Sequence, residues 1–312
     1  MIIQPFENTK LYGLDNYLID VIKLFDNDKM PNKIIFSGKK GIGKATLAYH
    51  IINYIFTIDE DYKYDLKKSM INNENKSFKL IKNNSNPNFY LIDLIEQKKN
   101  IDIDQIRQMI TYTNKSSFND KPRFILIDNI EYLNKNSVNA LLKVVEEPNK
   151  NIFFILIHNS EKNLLSTLKS RCLTFNINLT FSKTLEISNF LLNANVLELI
   201  NNDLIHYYNT PGEFIRLINF AKEKKINLKN CTLREILNLL IDNSYYKKNK
   251  YVKNLLINFI ELYFFKEYKI STTKISLLNI YHNLLDKIHN TEKFNLDEES
   301  LFLEFKSKIL NG

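Results

Sequence analysis

Between residues 31 and 178 the apolar positions fall into two alternating textures. Short continuous runs rich in Ile, Phe and Leu recur: KIIFSG (33–38), NFYLIDLI (88–95), RFILIDNI (123–130), IFFILIHN (152–159) and CLTFNI (172–177). Runs of this length predict strands, and the most continuous of them predict strands buried on both faces. The segments between them are spaced as helices. GKATLAYHIINYIF follows the first strand. Asp102 stands three residues before Gln105, a capping-box pair, ahead of Ile103, Ile106 and Ile110 on one side of a helix. In NSVNALLKVVEEP, Val138, Leu141, Leu142 and Val145 keep helical spacing and Pro148 stops the helix. Strand and helix in alternation predict a parallel sheet covered on both faces.

Residues 58–87 interrupt this pattern. They are polar, charged and rich in Asn and Lys, and predict a surface excursion with little helix. After residue 180 no buried strand is expected. LREILNLLI and LLINFIELYFF have helical spacing, and NTPGEF (209–214) reads as a turn between helical stretches. The chain is therefore expected to divide into an α/β unit and a helical remainder, with no internal repeat.

Composition narrows the classes. The 312 residues are 44% hydrophobic and 25% charged, enough for real cores. The beginning, MIIQPFENTK, lacks a cationic-then-apolar leader pattern, and the longest apolar runs are far too short to cross a bilayer. The expectation is a soluble cytoplasmic protein without membrane attachment. Two cysteines, Cys172 and Cys231, make neither a disulfide framework nor a cysteine-ligated zinc site, and the five histidines show no metal-ligand spacing. The net charge of +8 favours polyanions nearby, although Lys, Asn, Ile and Tyr are abundant throughout and the excess also fits compositional drift. Only five of the 43 basic residues are arginines: Arg107, Arg123, Arg171, Arg216 and Arg234. Lysine is the default cation here, so each planar guanidinium invites a specific explanation.

The candidate chemistry lies in FSGKKGIGKATLAYH (36–50). Gly38, Gly41, Gly43 and Lys44 satisfy the G-x-x-x-x-G-K part of a P-loop, after a strand and at the opening of a helix, where backbone N–H groups and the helix N-terminus hold phosphates and the lysine reaches the β/γ-phosphates. The following position should carry the hydroxyl that binds Mg²⁺, and it holds Ala45. Thr46 is turned about 100° away on the helix; it cannot substitute, although it could still touch phosphate. Asp128 ends the third strand, where a second Mg²⁺-linked carboxylate would stand. The residue after it, where hydrolysing relatives of this broad type place a glutamate base, is Asn129. General-base and electrostatic contributions each supply ~10²–10⁴-fold in rate, so a loop lacking both retains its grip on ATP but not its turnover.

NALLKVVEEP (139–148), the strand after it and SRC (170–172) resemble the clamp-loader branch of the AAA+ superfamily, as does GIGKATLAY. TPGEF (210–214) resembles the family's turn between lid and collar. The resemblance is specific over about 31–178 and fades beyond 215. It implies a P-loop α/β domain at 1–178, a small helical lid at 179–220 and an all-α collar at 221–312, with five collars forming the ring of a hetero-pentamer. It implies other clamp-loader subunits, the sliding clamp and primed DNA as partners, and an arginine lent to ATP on the neighbouring subunit, here Arg171. Ala45 and Asn129 imply a non-hydrolysing member rather than a motor. Motors place a sensing arginine near the lid–collar turn, where this chain has Gly212, with Arg216 one turn later; this too speaks against an ATPase. Many relatives carry a four-cysteine zinc module after the P-loop helix; residues 58–87 contain no cysteine, so no zinc is expected.

The competing readings are an active motor subunit, which would hydrolyse ATP alone, and a small-molecule kinase, for which the C-terminal third offers no acceptor site. His158 and Asn159 close a strand near where a nucleotide-sensing residue would sit, but read more simply as a strand-end polar pair. YYKKNKYVK (245–253) could lie near DNA or a partner; a solvated helix face is the simpler reading. Cys172 reads as a small packed residue.

Overall fold

A computed structural model describes residues 4–310 apart from 96–97, 116–118, 147–150, 161–162, 248 and 295. The chain forms two units, residues 1–193 with 209–217, and residues 194–208 with 218–312. The segments expected as lid and collar do not coincide with these units. Residues 179–193 and 209–217 belong with the α/β unit, and the rest of the expected lid with the helical unit.

In the first unit the strands are β1 (Lys33–Gly38), β2 (Phe89–Ile92), β3 (Arg123–Ile127), β4 (Ile152–Asn159) and β5 (Leu173–Asn176). They form one parallel sheet in the order β2-β3-β4-β1-β5. Its helices are α1 (Asp15–Asp26), α2 (Lys44–Phe56), α3 (Lys76–Lys82), α4 (Ile103–Thr113), α5 (Lys135–Glu146), α6 (Ser166–Lys169) and α7 (Phe181–Leu192). The two-residue period of the strands explains why both faces are covered. Ile34, Phe36, Phe124, Leu126, Ile155 and Ile157 join the core that includes residues of α1 and α2. Their neighbours Ile35, Ile125, Ile127, Phe154 and Leu156 join the core that includes residues of α4 and α5.

The expected cap of α4 is present as a reciprocal pair between Asp102 and Gln105. Asn134 starts α5 by accepting from Ser137 N at 2.8 Å; Pro148, expected to end it, lies outside the described residues. The stretch expected as a surface excursion with little helix carries the short α3 and is tied down. Tyr64, Ile71, Phe78 and Ile81 are buried in the α1/α2 core, Asn75 caps α3 by accepting from Phe78 N at 2.8 Å, and the Tyr64 hydroxyl reaches His50 Nδ1 at 2.8 Å. Four anchors scattered among Asn and Lys leave no periodicity to read.

Arg123, at the start of β3, is buried. Its guanidinium donates to the carbonyls of Tyr112 (3.3 Å), Thr113 (3.3 Å) and Lys115 (3.0 Å), in and just beyond the last turn of α4.

The second unit contains α8 (Val196–Leu199), the later part of α9 (Pro211–Lys224), α10 (Leu233–Asp242), α11 (Lys250–Ile270), α12 (Lys274–Phe294) and α13 (Glu298–Phe305). Thr232 and Glu235 form a capping box on α10. The run 245–253 is not simply a solvated face: Tyr246 and Val252 are buried, Tyr246 packs edge-on against Phe302 at 4.7 Å, and Lys247 and Lys253 pair with Glu299 and Glu298. Among the described residues no helix is long and apolar enough to cross a membrane.

Candidate functional site

The loop between β1 and α2 leaves the carboxyl edge of the sheet beside β4, a strand far from it in sequence; such a crossing point is where open α/β sheets form their binding crevices. A cavity of about 480 Å³ lies here, and Gly41, Gly43, Lys44, Thr46 and Asp128 all line it. Gly41 (φ +83°) and Gly43 (φ +101°) hold left-handed conformations, which let the loop curl before the helix starts. Gly38 has another task. It is buried at the end of β1, and a Cβ there would stand 2.4 Å from the carbonyl oxygen of Ile177 just beyond β5.

Lys44 is buried, and its ammonium is turned into the loop. It donates to Gly38 O (2.8 Å), Lys39 O (2.7 Å) and Asn159 Oδ1 (2.9 Å). Asn159 is therefore more than a strand-end polar residue. Its Nδ2 donates to Asn129 Oδ1 and Glu131 Oε1, both at 2.9 Å, and its backbone N–H to Glu131 Oε2 at 3.1 Å. Asn129, in a left-handed conformation at φ +58°, donates through Nδ2 to Asp93 Oδ1 at 2.7 Å. Asp93, Glu131 and Asn159 join the site from three separate segments, and the position of each just after or at the end of a strand was the available signal.

Asp128 accepts from Asn129 N at 2.7 Å. Burial, reinforced by the Asp93 charge, pushes its carboxyl up to about 7, against the pull of the Asn129 N–H and Lys44. The native state thus keeps this proton between about pH 4 and pH 7 while the unfolded chain releases it. Stability contributed by the protonated group is complete below about pH 4 and is lost as pH rises to 7. Asp128 keeps some solvent contact, so Asp128→Asn is expected to gain on the order of 1–2 kcal/mol over wild type at pH 8 and little at pH 4. Denaturant melts at the two pH values measure this difference.

Mg²⁺ does not suit the cavity. Position 45 has no hydroxyl, Thr46 Oγ1 accepts a 3.5 Å contact from Asn8 Nδ2, and burial pushes the Asp128 carboxyl up to about 7, so a cation has to compete with a proton there below neutral pH. Both oxygens of Glu131 are engaged by Asn159. Among the described residues no cluster of three or more His, Cys, Asp or Glu is placed to hold a metal.

The TPGEF stretch begins α9 rather than linking two helices. Thr210 N donates to Glu213 Oε2 (2.8 Å) and Thr210 Oγ1 accepts from Glu213 N (3.3 Å), a reciprocal cap with Pro211 in the first turn. This start packs on the P-loop: Thr210 Oγ1 donates to Lys40 O at 2.8 Å and Gly212 N to Gly41 O at 3.0 Å. Arg216, which the sequence placed a turn too late to matter, lines the cavity.

Arg171 stands apart from the cavity. It follows α6 on an exposed turn, where Nε and a terminal nitrogen meet Glu146 Oε1 at 3.0 and 2.8 Å and the other terminal nitrogen donates to Thr167 O at 3.1 Å. Cys172 beside it packs against the α4/α5 core, and burial pushes its thiol up to about 11, which suits a packing residue.

A parallel sheet in this strand order, with a P-loop between β1 and α2 and an acidic residue just after β3, defines a P-loop α/β protein. Residues 15–180 match the family described as DNA polymerase III, delta subunit, and the chain belongs to that family. It is 28% identical over 283 residues to DNA polymerase III subunit delta' of Buchnera aphidicola subsp. Schizaphis graminum, covering 85% of this chain and 83% of that one. It is 27% identical over 247 residues to subunit gamma of the same organism, covering 79% of this chain but 61% of the other. A solved DNA polymerase III gamma subunit-related protein from Thermotoga maritima superposes with a TM-score of 0.42 at 16% identity, covering 83% of this chain and 76% of that one.

Proposed function

We propose that this chain serves as the delta-prime-type, non-hydrolysing subunit of a DNA polymerase III clamp loader, and that Arg171 completes the ATP site of a neighbouring subunit. The observation that carries this reading is the state of the cavity. The phosphate-binding loop is intact, yet alanine occupies the metal-hydroxyl position, an amide follows Asp128, and the nearby carboxylate of Glu131 is spent on Asn159. Binding and catalysis are separable in such a site, because loop amides and a lysine hold phosphates while a metal ion and a base supply the rate.

In this reading the chain acts in a cytoplasmic hetero-pentamer with motor and clamp-opening subunits, and the assembly places a sliding clamp on primed DNA. Residues 179–220 work as the lid and 221–312 as the collar. ATP, where it binds, sits on the loop from Gly38 to Lys44 with Thr46 nearby, uncleaved, and no zinc is required. The similarity to delta' and gamma proteins supports the partners. Arg216 at the cavity wall favours a second reading, an active motor subunit.

The isolated full-length chain decides between them. In magnesium buffer it is expected to turn over ATP no faster than a buffer control. Brisk turnover that disappears on Lys44→Ala would establish the motor reading instead.

A further inference from the structure

We propose that Asn159, held in place by Glu131, is an internal latch on the P-loop: its amide oxygen keeps the Lys44 ammonium turned toward the loop's own carbonyls, so an incoming polyphosphate has to displace it. This deepens the non-hydrolysing reading and rests on it.

The geometry is a chain of fixed groups. An ammonium has three protons to donate, and three acceptors surround Lys44 Nζ within 2.9 Å: Gly38 O, Lys39 O and Asn159 Oδ1. A P-loop lysine serving nucleotide instead directs this group to the β/γ-phosphates. The Asn159 side chain is not free to swing aside. Its Nδ2 bonds to Asn129 and Glu131 and its own N–H bonds to the second Glu131 oxygen, so rotating the amide breaks bonds to a charged partner. Such bonds are about twice as strong as neutral ones.

The rest of the loop is fastened in the same manner. Lys40 O and Gly41 O accept from Thr210 Oγ1 and Gly212 N, so each carbonyl from Gly38 to Gly41 has a donor. At Gly212 no side chain would fit, since a Cβ would come within 2.7 Å of the Gly41 Cα. The loop is therefore held open in shape while its one buried cation is engaged. Phosphate binding must break these Lys44 bonds before it gains new ones, and of the three the Asn159 bond is the one that side-chain substitution can remove.

The test is isothermal titration of the full-length chain with inorganic triphosphate in EDTA. Asn159→Ala is expected to bind triphosphate about tenfold more tightly than wild type. Glu131→Gln is expected to shift affinity the same way by a smaller factor, and it keeps the proposal testable should the alanine variant fold poorly. In a Lys44→Ala background, Asn159→Ala is expected to give no gain, which a merely structural role for Asn159 would not predict. Affinity at or below wild type in the latch variants, or a gain that survives without Lys44, overturns the latch. The readout is binding by the isolated chain without metal, so it stands apart from the turnover that tests the non-hydrolysing reading. A tighter triphosphate complex with no ATPase supports both; ATPase by the chain refutes the non-hydrolysing reading, and unchanged triphosphate affinity in the variants without ATPase refutes the latch alone.

Discussion

Arg171→Ala is expected to lower the DNA-stimulated ATP turnover of a reconstituted clamp loader by about 10³-fold at any site that depends on this chain, while the assembly stays intact. Arginines supplied across an interface contribute ~10³–10⁵ in rate in other nucleotide hydrolases, because the guanidinium meets charge that develops only in the transition state. The bond that now holds Arg171 is of another order. Its pair with Glu146 is solvent-exposed, with side chains 38% and 51% accessible, and such pairs contribute about 0–1 kcal/mol. Leaving Glu146 is therefore a small cost to the role proposed for Arg171.

The same comparison supplies the control. If Arg171 mattered only through Glu146, then Glu146→Gln would be as damaging as Arg171→Ala. The proposed role predicts turnover within about threefold of wild type for Glu146→Gln. Arg171→Lys is expected to recover little, since an ammonium cannot reproduce the planar fork. Single-turnover ATPase, with sedimentation to confirm assembly, separates these outcomes. Unchanged turnover for Arg171→Ala would remove the trans role.

What was legible in the sequence depended on how densely each element advertised itself. The strand at 152–159 matches β4 residue for residue, because eight consecutive positions carry its apolar run and polar end. The strand at 123–130 was drawn too long. Asp128 and Asn129 extend the run on paper, but Asn129 turns into a left-handed conformation and a short 3₁₀ turn follows from Ile130. The start of α9 was missed although Thr210 and Glu213 carry its capping signal, since Pro211 and Gly212 between them read as a plain turn.

The P-loop was readable because its residues are contiguous. The hydrogen-bond chain behind Lys44 was not: Asn129 and Asn159 could be noted singly, but Asp93, Asn129, Glu131 and Asn159 converge only when β2, β3 and β4 lie side by side. Asn129 shows the limit of reading by type. The sequence identified it as a residue that cannot act as a base, which its chemistry dictates. That its amide bridges Asp93 and Asn159 is a consequence of backbone conformation.

Arg123→Ala is expected to destabilise the α/β unit by about 3–5 kcal/mol, the largest stability effect of any single change considered. The guanidinium binds three carbonyls at the end of α4, and a hydrogen bond to a charged group contributes about 1.5–3 kcal/mol. Removing it also takes a donor from carbonyls in and just beyond the last turn of a packed helix, of which Tyr112 O keeps the Lys115 N–H at 3.3 Å, while α4 carries Ile106 and Met109 into the core on that face of the sheet. It also loses the contact of the guanidinium with the Tyr112 ring at 5.7 Å. At about 2–4 °C per kcal/mol for a unit of this size, the melting temperature should fall by roughly 10 °C. Arg123→Lys is expected to restore only part of this, because a lysine presents no rigid fork to satisfy separated carbonyls together. The consequence reaches the candidate site through α4: Gln105 Nε2 donates to the Asp93 carbonyl at 2.9 Å, and Asp93 in turn holds Asn129. Amide hydrogen exchange on the variant should therefore rise first across 103–115 and next around 93 and 129. Exchange unchanged there, with a melting temperature within 2 °C of wild type, would show that β3 and α4 hold together without this arginine.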